Sequence, residues 1–285
     1  MDTTSLYATP SAVDNPADCA FYHTMDVPGH GLIEGPWDLR PGLSEYLGNV
    51  DFSGKRVLEL GTADGYLSFE IERRGASVVS FDLSENDSWD VVPYARRHSQ
   101  AGVSPSWVTD SDAAMKTTMR QLNNAYWLCH RAYSSSARLV LGSVYHVPPE
   151  IGHVDISVFG ALLLHTRDPF QALTSSLELT RETVVVTEAL GALALPLSLR
   201  RLRAVLPPQL RRPVMRFYPD WRKSEGPDGW WRLSPEAVQA FLGVLGFERT
   251  EVTTHRQLYK GQEKRLFTVV GHRTTGSPLG AGTNA

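Results

Sequence analysis

The stretch "VLELGTADGYLSFEIERRGASVVSFDL", residues 57–83, decides the fold. "VLEL" reads as a buried strand and "GTADG" as a bend. Tyr66 to Arg74 carries an amphipathic helical pattern, and "SVVSFD" (77–82) is a second strand that closes on an acid. Strand, helix and strand in that order begin a parallel sheet. The bend does not carry the nicotinamide fingerprint G-x-G-x-x-G, whose third glycine lets helix and strand pack closely. Here Gly61 and Gly65 are four apart, Ala63 sits between them and Tyr66 takes the place of the third glycine.

What remains is E-x-G-x-A-x-G. Glu59 lies on the last turn of the strand, and the small residues after it let a ligand's carboxylate approach backbone amides at a helix N-terminus. Such a bend offers one partner to an ammonium and another to a carboxylate, the two charges of an amino acid. Asp82, 17 residues after Gly65, stands at the carboxyl edge beside the bend, where a carboxylate accepts both hydroxyls of a ribose. Amino acid plus ribose describes S-adenosylmethionine.

On Glu59, Gly61, Ala63, Gly65 and Asp82 the chain resembles the class I S-adenosylmethionine-dependent methyltransferases, with their E/D-x-G-x-G-x-G motif and following acid. The resemblance runs along most of residues 20–275. "GSVYHVP" (142–148) is similar to the segment that flanks adenine, with Ser143 where an acid is more usual and Val144 offering its N–H. "VFGALLLHTRDPFQAL" (158–173) is similar to the fourth-strand motif. "YHTMDVPGHGLIEGPWDLRP" (22–41), "LHTRDP" and "WWRLSPEAV" resemble the branch that holds the tRNA wobble-uridine carboxymethyl- and methyl-transferring enzymes and small-molecule relatives. Leu164 stands where carboxy-S-adenosylmethionine users have tyrosine, and no lysine precedes Lys55, so ordinary S-adenosylmethionine is the expected cofactor. The resemblance implies cofactor contacts at Glu59, Gly61, Ala63, Gly65, Asp82, Leu83, Ser84, Ser143, Val144 and Gly160. Asp64 is read as a cap for the helix at Tyr66 or as a ligand contact.

The implied fold is a Rossmann-like, doubly wound α/β sheet of seven strands, mostly parallel, with an antiparallel last strand. Further strands are expected at 137–142, 154–160 and 182–188, and helices at 111–133, opened by Ser111 or Asp112, and at 169–180. Ser234 and Pro235 open another helix, and 248–257 and 265–273 close the sheet as a hairpin. The expected organisation is a flexible N-terminus (1–18), one methyltransferase domain (19–274) and a flexible tail (275–285). Within the domain, 19–50 form an N-terminal cover and 190–232 a lid insertion outside the sheet.

The 285 residues are 42% hydrophobic, enough for one large domain, and the net charge of −3 supplies no positive field for phosphate backbones or anionic lipid. Nucleic acid is therefore not an expected partner. Cys19 and Cys129 lack metal-ligand or CxxC spacing, so neither a disulfide scaffold nor a metal is expected and a reducing compartment, the cytoplasm, is. The N-terminus has no basic or apolar signal region, and the run "LGALALPLSL" (190–199) is broken by Pro196, so neither secretion nor a membrane span is expected.

His165, after the fourth strand, is the candidate base for the acceptor's proton; equally, a histidine there satisfies backbone groups around the "TRDP" turn. His23, Asp26 and Trp37 in the cover, and Tyr218, Trp221, Trp230 and Trp231 in the lid, are candidate acceptor contacts; packing of cover and lid would use the same residues. Six arginines between 189 and 219 read either as a steering patch for an anionic acceptor or as the solvated face of an amphipathic helix, the second preferred. The expected function is methyl transfer to a small-molecule hydroxyl, amine or activated carbon in natural-product metabolism. RNA modification of the wobble-uridine type and cofactor binding without methyl transfer are the alternatives. Oligomeric state is not readable.

Overall fold

The computed structural model describes residues 6–87, 89–92, 112–190, 212–220 and 229–274. The chain enters the main sheet at β4 (Arg56–Leu60), in its middle. It passes through helix α2 (Tyr66–Arg73) to β5 (Ser77–Asp82) and β6 (Arg138–Leu141) on one side. It then returns to the other side of β4 with β7 (Val154–Gly160) and β8 (Thr180–Ala189). These five strands are parallel. β11 (Arg249–Tyr259) and β12 (Gln262–His272) form an antiparallel hairpin, and β12 is antiparallel to β8. The order reverses between β4 and β7, which opens a crevice at the carboxyl ends of those strands.

All seven expected strands are present, and the cover adds an eighth. β3, the pair Trp37–Asp38, joins the outer edge beside Tyr259 and Leu258. A two-residue strand has no periodicity to read. Ahead of it, β1 (Met25–Val27) and β2 (Gly31–Ile33) form a separate hairpin. The lid also pairs with itself: β9 (Met215–Phe217) and β10 (Trp231–Leu233) make a two-stranded sheet apart from the main one. The expected amphipathic helix with Arg200, Arg201, Arg203 and Arg211 lies outside the described residues, as does Trp221.

Side chains alternate along the strands. Val57 faces one apolar layer with Leu67, Phe69, Tyr126 and Leu128; Leu58 and Leu60 face the other, with Leu173, Leu177, Val238 and Phe247. Helices α1 (Leu43–Tyr46), α2 and α3 (Asp112–Ala132) supply the first layer, and α4 (Pro169–Leu177) and α5 (Pro235–Val244) the second. The choice of α3 cap between Ser111 and Asp112 falls outside the described side chains. α5 opens as the sequence implies, with Ser234 accepting from the Ala237 N–H and Pro235 at the first turn.

Two boundaries move. α4 stops at Leu177, short of the expected Thr180, because buried, β-branched Thr180 is already paired with Val154 as the start of β8. The last hairpin turns in two residues, Lys260 (φ 51°) and Gly261 (φ 72°), so its strands reach into the expected loop 258–264. No helix among the described residues is long and apolar enough to cross a membrane.

Candidate cofactor and acceptor site

The bend after β4 is built from left-handed backbone: Gly61 at φ 80°, Ala63 at 50° and Gly65 at 85°. At Gly65 a Cβ would lie 2.5 Å from the Phe69 ring and 2.7 Å from Tyr126, so both backbone and space demand glycine. Gly61 is held by its N–H donating to the Phe81 carbonyl at 2.8 Å. Gly160, last in β7, is glycine because a Cβ there would stand 2.7 Å from Leu67 and 3.2 Å from the Tyr46 hydroxyl.

Three carboxylates converge on this bend. Asp82 Oδ2 accepts from the Ala63 N–H at 2.5 Å and Oδ1 from the Leu83 N–H at 2.7 Å. Each oxygen keeps a second lone-pair site, enough for a ribose diol. Burial pushes the Asp82 carboxyl up to about 6, against the pull of those two backbone donors. Glu59 shares the α2 face of β4 with Val57. Its Oε2 accepts from Ser68 at 2.9 Å, and Ser68 joins Ser80 (2.7 Å), which accepts from Tyr126 at 3.0 Å. Its Oε1 is buried with no partner among the described residues, and burial raises this carboxyl to about 8. An orphaned, buried carboxylate oxygen under the bend is the kind of group an incoming ammonium satisfies.

Asp64 is fully buried and reaches neither solvent nor the cavity. It meets the Tyr66 N–H only at 3.4 Å, so it caps that helix weakly. Its strong contacts are 41 and 42 residues away, with the Tyr22 and His23 N–H groups, both at 2.7 Å, and with His23 Nδ1 at 2.6 Å.

A cavity of about 380 Å³ opens at the carboxyl edge beside the bend. It brings together the expected Gly61, Asp82, Leu83, Ser143, Val144 and His165. The Val144 carbonyl is taken by Ser175 at 2.5 Å, while its N–H has no protein partner among the described residues. Ser84 is turned aside, donating to Asp87 at 2.7 Å; Asp87 lines the cavity in its place. Glu59, Ala63, Gly65 and Gly160, also expected at the cofactor, are not among the residues that line it. His165 ends the one-turn 3-10 helix Leu163–His165.

The cover residues stand apart from the cavity. Asp26 is exposed on β1, its carbonyl taken by the Tyr133 hydroxyl at 2.7 Å. Trp37 packs at a tilt against Tyr259 (4.8 Å between rings, 48°) and donates to the Tyr22 hydroxyl at 3.2 Å. The lid tryptophans reach the cavity mouth through their indoles. Trp230 donates to the Asp90 carbonyl and Trp231 to the Arg167 carbonyl at 3.0 Å. Tyr218 carries the Arg232 guanidinium over its ring at 3.9 Å.

Two acids that matter here carry no signal in the sequence. Asp90 gathers the mouth: its carboxylate accepts from the Tyr145 hydroxyl, the Arg167 N–H (2.9 Å) and Arg167 Nε (2.8 Å). Glu188, buried near the end of β8, accepts from the Leu163 N–H at 2.7 Å and so holds the turn that bears His165. Burial raises its carboxyl to about 8.

The sheet order is β6-β5-β4-β7-β8-β12-β11 with only β12 reversed, a mostly parallel sheet with an antiparallel last strand as the resemblance implies. The fold is that of the class I methyltransferases. No family model and no curated protein matches the chain. Among solved structures, the N-terminal domain of EvdMO1, in the presence of S-adenosylhomocysteine and D-fucose, is 17% identical over 88% of this chain and 90% of that one, with a TM-score of 0.49. Magnesium protoporphyrin IX methyltransferase from Synechocystis PCC 6803, with bound S-adenosylhomocysteine, is 13% identical over 83% and 82%, at 0.47. A putative RNA methyltransferase from Pyrococcus horikoshii is 14% identical over 82% and 80%, at 0.41.

Proposed function

We propose that the chain binds S-adenosylmethionine and transfers its methyl group to a small-molecule oxygen, nitrogen or activated carbon, as natural-product tailoring requires. The observation that carries this reading is the acid-lined bend and cavity. Asp82, Asp87 and Asp90 face the cavity, Asp90 paired with Arg167, which leaves a negative site that favours a ligand with both a sulfonium and an ammonium over a dinucleotide diphosphate. Bound there, S-adenosylmethionine supplies an electrophilic methyl group on sulfur.

The chain's own groups divide the work. Glu59 meets the ammonium, the N-terminus of α2 the carboxylate, Asp82 the ribose and the Val144 N–H the adenine edge. Leu83 and Ser143 wall the adenosine, and His165 remains a candidate for proton removal. Transfer then depends on holding donor and acceptor in line. The lid aromatics Tyr218, Trp230 and Trp231 screen the mouth, and the same acids disfavour RNA as the acceptor. Incubation with methyl-labelled S-adenosylmethionine and a panel of phenols, alcohols and amines tests the reading. Label should appear in one acceptor class with matching S-adenosylhomocysteine; tight cofactor binding with no transfer to any class would favour a binding protein instead.

A further inference from the structure

The loops that follow β5, β6 and β7 at the carboxyl edge meet at one side chain. Asp90, in the loop after β5, accepts from Arg167 twice, from its Nε–H on Oδ1 at 2.8 Å and from its backbone N–H on Oδ2 at 2.9 Å. The Tyr145 hydroxyl, in the loop after β6, donates to the same Oδ2. In the sheet β4 lies between β5 and β7, so a bond from the β5 loop to the β7 loop spans the crevice into which the β4 bend opens. Gly61 of that bend, Asp90, Tyr145 and Arg167 all line the one cavity. The lid is fastened across the same gap. Trp230 donates its indole N–H to the Asp90 carbonyl and its backbone N–H to the Leu164 carbonyl at 2.8 Å, and Trp231 donates its indole N–H to the Arg167 carbonyl at 3.0 Å. Both ends of the Asp90–Arg167 tie therefore also carry the lid.

The tie is weak where the walls it joins are strong. The Arg167 side chain is 63% exposed and that of Asp90 13%, so water competes for the guanidinium, and an ion pair in that setting holds loosely. Asp82, in the wall, is instead locked by two backbone N–H groups. A cavity that encloses most of its ligand needs one part that yields. We infer that the Asp90–Arg167 pair is a strap that opens to admit the cofactor and closes behind it, an inference that rests on the cofactor-binding part of the reading above. Opening breaks a side-chain pair and leaves the strands, the bend and the Val144 N–H in place. The lid hangs from both ends of the strap and shifts with it.

The test needs no acceptor. Stopped-flow mixing with S-adenosylhomocysteine, followed by tryptophan fluorescence with Trp89 in the cavity wall, gives the association and dissociation rate constants. Arg167→Ala removes the guanidinium and keeps the backbone bonds. A strap slows entry and exit alike, so both constants should rise about fivefold while Kd stays within about twofold. Adding Arg167→Ala to Asp90→Ala should change the rates no further, because the arginine then has no carboxylate to hold. A rise in dissociation alone would show that Arg167 grips the ligand, and unmoved rates, or effects that multiply in the double variant, would show that the pair does not gate the cavity; each overturns the strap while the cofactor reading stands. If S-adenosylhomocysteine does not bind the wild-type protein, the cofactor reading itself fails and the strap with it.

Discussion

Asp82 Oδ2 lies 2.5 Å from the Ala63 nitrogen, so the acid that ends β5 also fastens the bend that follows β4. One carboxylate thus shapes the loop and faces the cavity beside it. Asp82→Asn, which replaces one acceptor oxygen by a donor and removes the charge, should weaken S-adenosylhomocysteine binding by roughly 1.5–3 kcal/mol, about tenfold to a hundredfold. Isothermal titration checks this, with a thermal melt to show that the fold is retained.

The bend's two small residues should respond in opposite directions. Gly65→Ala imposes a positive φ on a Cβ that overlaps Phe69 and should cost about 2–4 kcal/mol. Ala63→Gly relieves a positive φ of 50° and should be neutral or stabilising by up to about 1 kcal/mol. Urea unfolding of both variants measures the contrast.

Glu59 and Glu188 give the fold a pH dependence of known sign. Both are buried, and both hold their protons in the folded state up to about 8, while an unfolded glutamate loses its proton near 4.5. The folded state therefore binds more protons between those values. Stability is greatest below the lower value and falls as the pH rises through the window, by at most about 1.4 kcal/mol per pH unit per group. Glu59→Gln should flatten the curve between pH 6 and pH 8 in denaturant titrations; an unchanged slope would mean that Glu59 is ionised in its site.

Glu188→Ala strips the Leu163 N–H of its acceptor and should cost about 1–3 kcal/mol. Amide exchange at Leu163 and His165 should accelerate beyond the global change. Equal acceleration everywhere would show that Glu188 does not hold this turn.

What the sequence shows of this fold is what local pattern controls. Alternation and β-branched runs mark the seven main strands, and the Ser234–Pro235 pair marks the start of α5. The cofactor bend is legible because its glycines answer to backbone demands that nearby spacing reveals. Partners distant in the chain are not. Asp64 looks like a cap for Tyr66, but its strong contacts belong to Tyr22 and His23, which only the fold brings near. Glu188 hides in "ETVVVTE", where an acid at a strand end has no signature until Leu163 is seen to donate to it. Asp90 joins Tyr145, Arg167 and Trp230 from three separate loops, a convergence no spacing encodes.

The most direct measurement is calorimetric titration of the protein with S-adenosylmethionine, S-adenosylhomocysteine and NAD, repeated on Asp82→Ala. Both sulfur compounds should bind, NAD should not, and the substitution should remove binding while the melting curve stays cooperative. Binding of NAD, or sulfur-cofactor affinity untouched by the loss of Asp82, would contradict the S-adenosylmethionine reading.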